Sequence, residues 1–333
     1  MITRRQFSAI TLSIVVSMVL GPFARAASPM HIDLSTVLPD GNFHTQNAKM
    51  YSEEVAKATG GEVQIQVHSG GALGFKGPDH LEAVGDGLVG MADIHISQQA
   101  GNEPVLAAET VPFLVNDLGE LKILHRHLLP LLEEAAAKHN QKILYIVPWP
   151  AQYLFSKIQA DSLEGLKNSK VRVSDRNVQD MCAAIGITPV LIPWVETIPA
   201  LASGTISGLT TSTASAVDGR LWEFVKYIYP TNHTWISQMV NINLDTWNKL
   251  SPTQQKAMTD VADRLQPVFW DRASQADVDG LEKLKSMGME AMPISPAMRQ
   301  EMRDRTSGQL EAFMKRVPSS ETALNAYLAE VKR

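Results

Sequence analysis

Short stretches that alternate apolar and polar residues recur along this chain with helix-length amphipathic stretches between them, and that order admits few folds. Residues 31–38 alternate as a half-buried strand does, residues 43–58 repeat apolar positions at helical spacing, and Thr59-Gly60-Gly61 ends them. Residues 63–68 alternate strictly, 79–84 read as helix and 91–96 as a third strand. A βαβαβ start implies a largely parallel sheet with helices on both faces. Ligands of such sheets sit at the carboxyl ends of the strands, here residues 38–44, 68–75 and 97–101.

Further along, residues 118–139 read as helix and the apolar run 143–147 as a buried strand. Pro148-Trp149-Pro150 makes a stiff crossing, because each proline fixes its own backbone and restricts the residue before it. A second series follows, with strands at 170–173, 189–192 and 208–211 and helices at 177–184 and 197–202. Residues 251–287 read as one long helix with a Ser251-Pro252 start, and Pro267 is expected to kink or divide it.

The N-terminus carries Arg4 and Arg5, an apolar run over residues 10–20, and the small-x-small pattern Ala24-Arg25-Ala26. That run falls short of the roughly 20 residues that cross a bilayer, so residues 1–26 read as a removable export signal cleaved after Ala26. Arg4-Arg5 with Phe7 fits a twin-arginine signal, which exports folded protein, and paired arginines also occur in ordinary signals. Either route leads to the periplasm. The remaining roughly 300 residues exceed what one core usually holds, so two lobes are expected. A formal net charge of -5 with no basic patch argues against nucleic acid or an anionic membrane as partner. Cys182, the single cysteine, reads as a small buried hydrophobe on a helix.

Several motifs fail on context. Gly85-Asp86-Gly87-Leu88-Val89-Gly90 has the dinucleotide spacing, but it ends a helix and precedes a strand, the reverse of what phosphate binding needs. The serine of residues 204–208 is misplaced for a nucleophile elbow. The nine histidines are scattered, and His125 and His127 point apart on one helix. No cofactor, metal or catalytic constellation is indicated, so an enzyme is not expected. Arg172 is more informative. Inside a strand of a covered parallel sheet its five donors must be met, either by an internal carboxylate or by a ligand's, and periodicity alone leaves both open.

In order and spacing, the chain resembles the extracytoplasmic solute receptors of tripartite ATP-independent periplasmic (TRAP) transporters, the DctP-type family. The likeness is carried by Ser69-Gly70-Gly71-Ala72-Leu73-Gly74, by Gly87 through Asp93, by Leu166 through Val173, by Ala184 through Val190, and by Glu196 with residues 200–204. The resemblance implies the α/β two-lobe periplasmic binding protein (Venus-flytrap) fold, braced by a long bridging helix. Lobe I is expected at residues 27–149 with 238–277, and lobe II at 150–237 with 278–331. It also implies that Arg172 pairs with a ligand carboxylate and that a membrane permease, driven by an ion gradient and no ATPase, receives the solute. Two departures matter: Gln152 stands where many members have a second arginine, and Thr211 where they have asparagine. One fewer cation suits one fewer carboxylate. Thr211 and Ser212 supply hydroxyls in their place, and Trp149, Tyr153, Phe155, Phe43, His44 and Phe75 are expected around the pocket. Tyr153 and Phe155 serve equally as hinge core, and Trp194 and Trp222 read as packing. The expected function is capture of a small organic acid, a keto, hydroxy or aromatic monocarboxylate, by a monomer. Sugar acids such as uronates, or sensing for a membrane kinase, are the alternatives.

Overall fold

Strand β1 (Met30–Ser35) begins the fold in this computed structural model, which describes residues 28–333. The export signal expected at residues 1–26 lies outside the described residues. Helix α1 (Phe43–Ala58) starts at Asn42, whose side chain accepts the His44 N–H, and β2 (Val63–His68) returns parallel to β1. Helix α2 (His80–Gly85) and β3 (Met91–His95) complete the βαβαβ unit. Gly87, at φ 72°, turns the chain between them, so the glycine-rich hexamer is a helix stop.

The chain continues through α3 (Leu118–Lys138), β4 (Gln141–Pro148), β5 (Tyr153–Ser156), α4 (Leu163–Leu166) and β6 (Lys170–Val173). Then come α5 (Arg176–Ala184), β7 (Thr188–Leu191), α6 (Trp194–Ala202), β8 (Gly208–Thr211), α7 (Thr213–Asp218) and β9 (Tyr227–Tyr229). Strand β10 (Ser237–Asn243), α8 (Leu244–Asn248), α9 (Pro252–Ser286) and β11 (Glu290–Ala291) follow, and α10 (Pro296–Thr306), α11 (Gln309–Arg316) and α12 (Glu321–Glu330) close the chain.

Two sheets result, in the orders β2-β1-β3-β10-β4 and β11-β9-β5-β8-β6-β7. Neither is wholly parallel. Strand β10 runs against both β3 and β4, and β5 against both β8 and β9, because each brings the chain in from the other half of the molecule. Two segments make the crossing side by side: the Trp149 N–H donates to the Ile236 carbonyl at 2.7 Å, and the Gln152 N–H to Thr234 at 3.0 Å.

Helix α9 spans 35 residues from a Ser251–Gln254 capping box and packs on α1, β4 and α7, so it touches both halves. It runs unbroken through Pro267, contrary to the expected division. A proline inside a helix costs about 3 kcal/mol. Burial of Leu265, Phe269 and Trp270 on either side offsets that cost, and Gln266 and Trp270 also bond the Ile146 N–H and carbonyl, each at 2.8 Å.

Tyr51, Tyr145 and Phe269 centre the first half's core, with neighbouring rings 5.2 and 5.3 Å apart. The second half packs Leu154, Val171, Cys182 and Tyr229. Burial pushes the Cys182 thiol up to about 12, as suits a packing residue. A third cluster joins the halves, from Leu124 and Leu128 of α3 to Leu209 of β8 and Tyr327 of α12.

Candidate functional site

Where the two sheets face each other, strand ends, both crossing segments and the start of α6 enclose a cavity of about 570 Å³, counting the part open to solvent. Val37, Leu38, Trp149, Trp194 and Ile236 supply apolar wall, and eight of the sixteen residues lining the cavity, Arg172, His95 and Gln238 among them, carry polar side chains. Contacts bridge the halves around it: Lys76 Nζ lies 2.9 Å from Glu196 Oε1, and Asn42 donates to Asp218 at 2.5 Å.

Arg172 reaches this cavity from β6 and is 3% exposed. Its Nε donates to the Ile192 carbonyl at 3.1 Å, and its guanidinium sits 5.8 Å from the centre of the Trp194 ring. No carboxylate of the described residues forms a salt bridge with it. Burial lowers its pKa to about 10, against the raising influence of Asp175. Asp175 is occupied elsewhere. It caps α5 by accepting the Asn177 and Val178 N–H groups, and it takes hydroxyl hydrogens from Ser97, Thr110 and Ser174 at 3.0 to 3.2 Å.

Of the residues expected around the pocket, Arg172, Trp149, Gln152 and Thr211 line the cavity together. The Gln152 amide nitrogen is held by the Pro150 carbonyl at 2.8 Å, and the buried Trp149 indole N–H has no partner among the described residues. Phe43 and His44 form a layer behind Trp149, with ring centres 5.3 and 4.3 Å from it, and do not reach the cavity. Phe75 packs by His80 instead. Ser212 is spent on capping α7, since it accepts the Ser215 N–H and its hydroxyl donates to Ser215 Oγ. Tyr153 and Phe155 belong to the hydrophobic core, because β5 is a central strand with both faces covered. Trp194, read as packing, is a cavity wall. His95 and Gln238 were not singled out, yet both line the cavity as a registered pair on β3 and β10. His95 ends β3, and that position at a carboxyl strand end was its available signal.

Three buried histidines, and the partly exposed His95 on the cavity wall, are held neutral mainly by desolvation: His44 well below its usual range, His80 at about 4, and His95 and His233 at about 3. The Arg172 cation adds to the effect on His95. Each group's folded pKa lies below its unfolded value near 6.5, so its contribution is intact above that pH and is lost as pH falls below it. Each costs about 1.4 kcal/mol per pH unit once the unfolded state alone is protonated. Asp93 and Asp218, raised by burial to about 7 and about 6, work in the opposite direction, as do the raised Asp175 and Asp277. The opposing groups are equal in number, so urea titrations should show only a modest change in stability between pH 6 and about pH 4. A steep loss across that window would mean that the histidines outweigh the carboxyls.

Comparison with known proteins fits this architecture. DctP7, a Bordetella pertussis extracytoplasmic solute receptor binding pyroglutamic acid, superposes with a TM-score of 0.86 at 26% identity over 90% of this chain and 99% of that one. An uncharacterized protein of Haemophilus influenzae is 24% identical over 216 residues, 64% of this chain and 66% of the relative. The ectoine-binding periplasmic protein TeaA of Halomonas elongata is 25% identical over 186 residues, 56% of this chain and 52% of TeaA. The two lobes and the long helix are thus those of the TRAP solute receptors. The family model for bacterial extracellular solute-binding protein, family 7, matches residues 34–316, and the chain belongs to that family.

Proposed function

We propose that this protein captures a small monocarboxylic acid between its two halves, with Arg172 as the carboxylate clamp, and hands it to a membrane permease. One observation carries the reading: Arg172 is a buried guanidinium on a cavity wall with no carboxylate of its own among the described residues. A cation so placed is costly to bury unless a bound anion meets it. A single arginine in the lining favours one carboxylate over two. Pyroglutamic acid, bound by DctP7, belongs to this class.

In this reading the first sheet and its helices form lobe I, the second lobe II, and the paired crossing segments the hinge. The chain acts as a monomer after export, and N-terminal sequencing of protein recovered from the periplasm should begin at Ala27.

Ligand binding tests the whole reading. A molecule bound only by the native state stabilises it by about 2.7 kcal/mol at 100 times its dissociation constant, so the right acid should raise the melting temperature by several degrees. If protein freed of carried-over ligand shows no shift with pyroglutamate or with any hydroxy, keto or aromatic monocarboxylate, the capture reading is wrong.

A further inference from the structure

His95 stands at the carboxyl end of β3, on the cavity wall, within electrostatic reach of Arg172. Its neighbours fix which ring nitrogen carries the hydrogen. The Ser97 hydroxyl has one hydrogen, and Asp175 Oδ2 takes it at 3.2 Å. That carboxylate already receives two backbone N–H groups and the Thr110 and Ser174 hydroxyls, so it acts there as an acceptor only. Ser97 Oγ, its hydrogen committed, faces His95 Nδ1 at 3.4 Å and must accept from it. Nδ1 therefore bears the ring hydrogen. Nε2 is left as a lone pair facing no donor among the described residues.

We propose that His95 Nε2 reads the substituent next to the ligand's carboxylate, so that this site takes acids bearing an O–H or N–H on carbon 2 and rejects 2-keto acids. The inference rests on Arg172 holding the carboxylate. An acid clamped there turns its carbon 2 towards the same wall, where a hydroxyl or ring N–H donates to Nε2. A keto oxygen brings only lone pairs to the same point. It leaves Nε2 desolvated and unbonded, a loss of roughly tenfold or more in affinity.

Matched pairs of acids test the idea on the unmodified protein: lactate against pyruvate, 2-hydroxybutyrate against 2-oxobutyrate, mandelate against benzoylformate, and a five-membered lactam acid against the corresponding lactone acid. Calorimetry should find the donor member of each binding pair at least about tenfold tighter. His95→Phe should bring the two members to within about threefold, and His95→Gln, whose amide oxygen falls near the position of Nε2, should restore the preference. In ¹⁵N spectra of histidine-labelled protein, His95 should carry its hydrogen on Nδ1. Keto acids that bind as tightly as their hydroxy partners, or a protonated Nε2, would overturn the proposal. If no acid raises the melting temperature in the screen above, the capture reading itself fails and this inference falls with it.

Discussion

Arg172→Ala should abolish acid binding and leave a folded apo protein. Removing one partner of a buried charge pair costs about 2 to 5 kcal/mol, at least a roughly thirtyfold loss of affinity. The apo fold should survive, because the side chain contributes the Nε bond to Ile192, its contact with Trp194 and an attraction to Asp175 without a salt bridge, and its removal also relieves a costly buried cation. Arg172→Lys should bind poorly as well, since a point ammonium cannot reproduce the planar two-donor fork. Calorimetry with the acid found by thermal shift decides the matter. Binding within about threefold of wild type would place the clamp elsewhere, and an unfolded variant would make Arg172 a structural residue.

Asp175→Ala should be the more damaging change to the fold itself. Its carboxylate gathers the first turn of α5, Ser174, and Ser97 and Thr110 from the segment after β3. Burial raises its pKa, so these donors do not fully offset its desolvation. The damage comes from the partners left bare and from Arg172 losing its nearest counter-charge, together about 3 to 5 kcal/mol. Asp175→Asn should cost less, because the amide oxygen can still cap α5. Urea unfolding gives the number, and a loss below about 1 kcal/mol for the alanine variant would show that water replaces the carboxylate.

The regular parts of the fold were legible because their patterns are local. Strict alternation marked Val63–His68, and the bounds of α1, β6 and β8 follow from the same kind of local signal. Strand β10 escaped, although every residue of it is buried, because Gln238, Asn241 and Asn243 look like surface residues in sequence. Part of their polarity is met inside: Asn241 donates to Gln141 at 3.0 Å, and Asn243 to the Val84 carbonyl at 2.8 Å, while Gln238 Oε1 and Asn241 Oδ1 have no partner among the described residues. The site was legible only in part for a related reason. Arg172 stood out because a charge in a covered strand violates the local pattern, and Trp149 and Gln152 fell in the conspicuous crossing segment. His95 and Trp194 break no pattern where they stand. Only their meeting across about 100 positions of chain makes them walls of one cavity.

The position of β10 has a consequence for how the chain assembles. It lies between β3 and β4, and Val240 pairs with Asp93, 147 positions earlier, so the first sheet has a slot that only a late segment can fill. A nascent chain that has emerged only as far as residue 236 exposes two unpaired strand edges, whatever its first hundred residues have done. Long-range closure of this kind slows folding and prolongs exposure to aggregation. The first sheet therefore cannot close until β10 is available, whereas the second sheet has β5 to β9 in hand by residue 229.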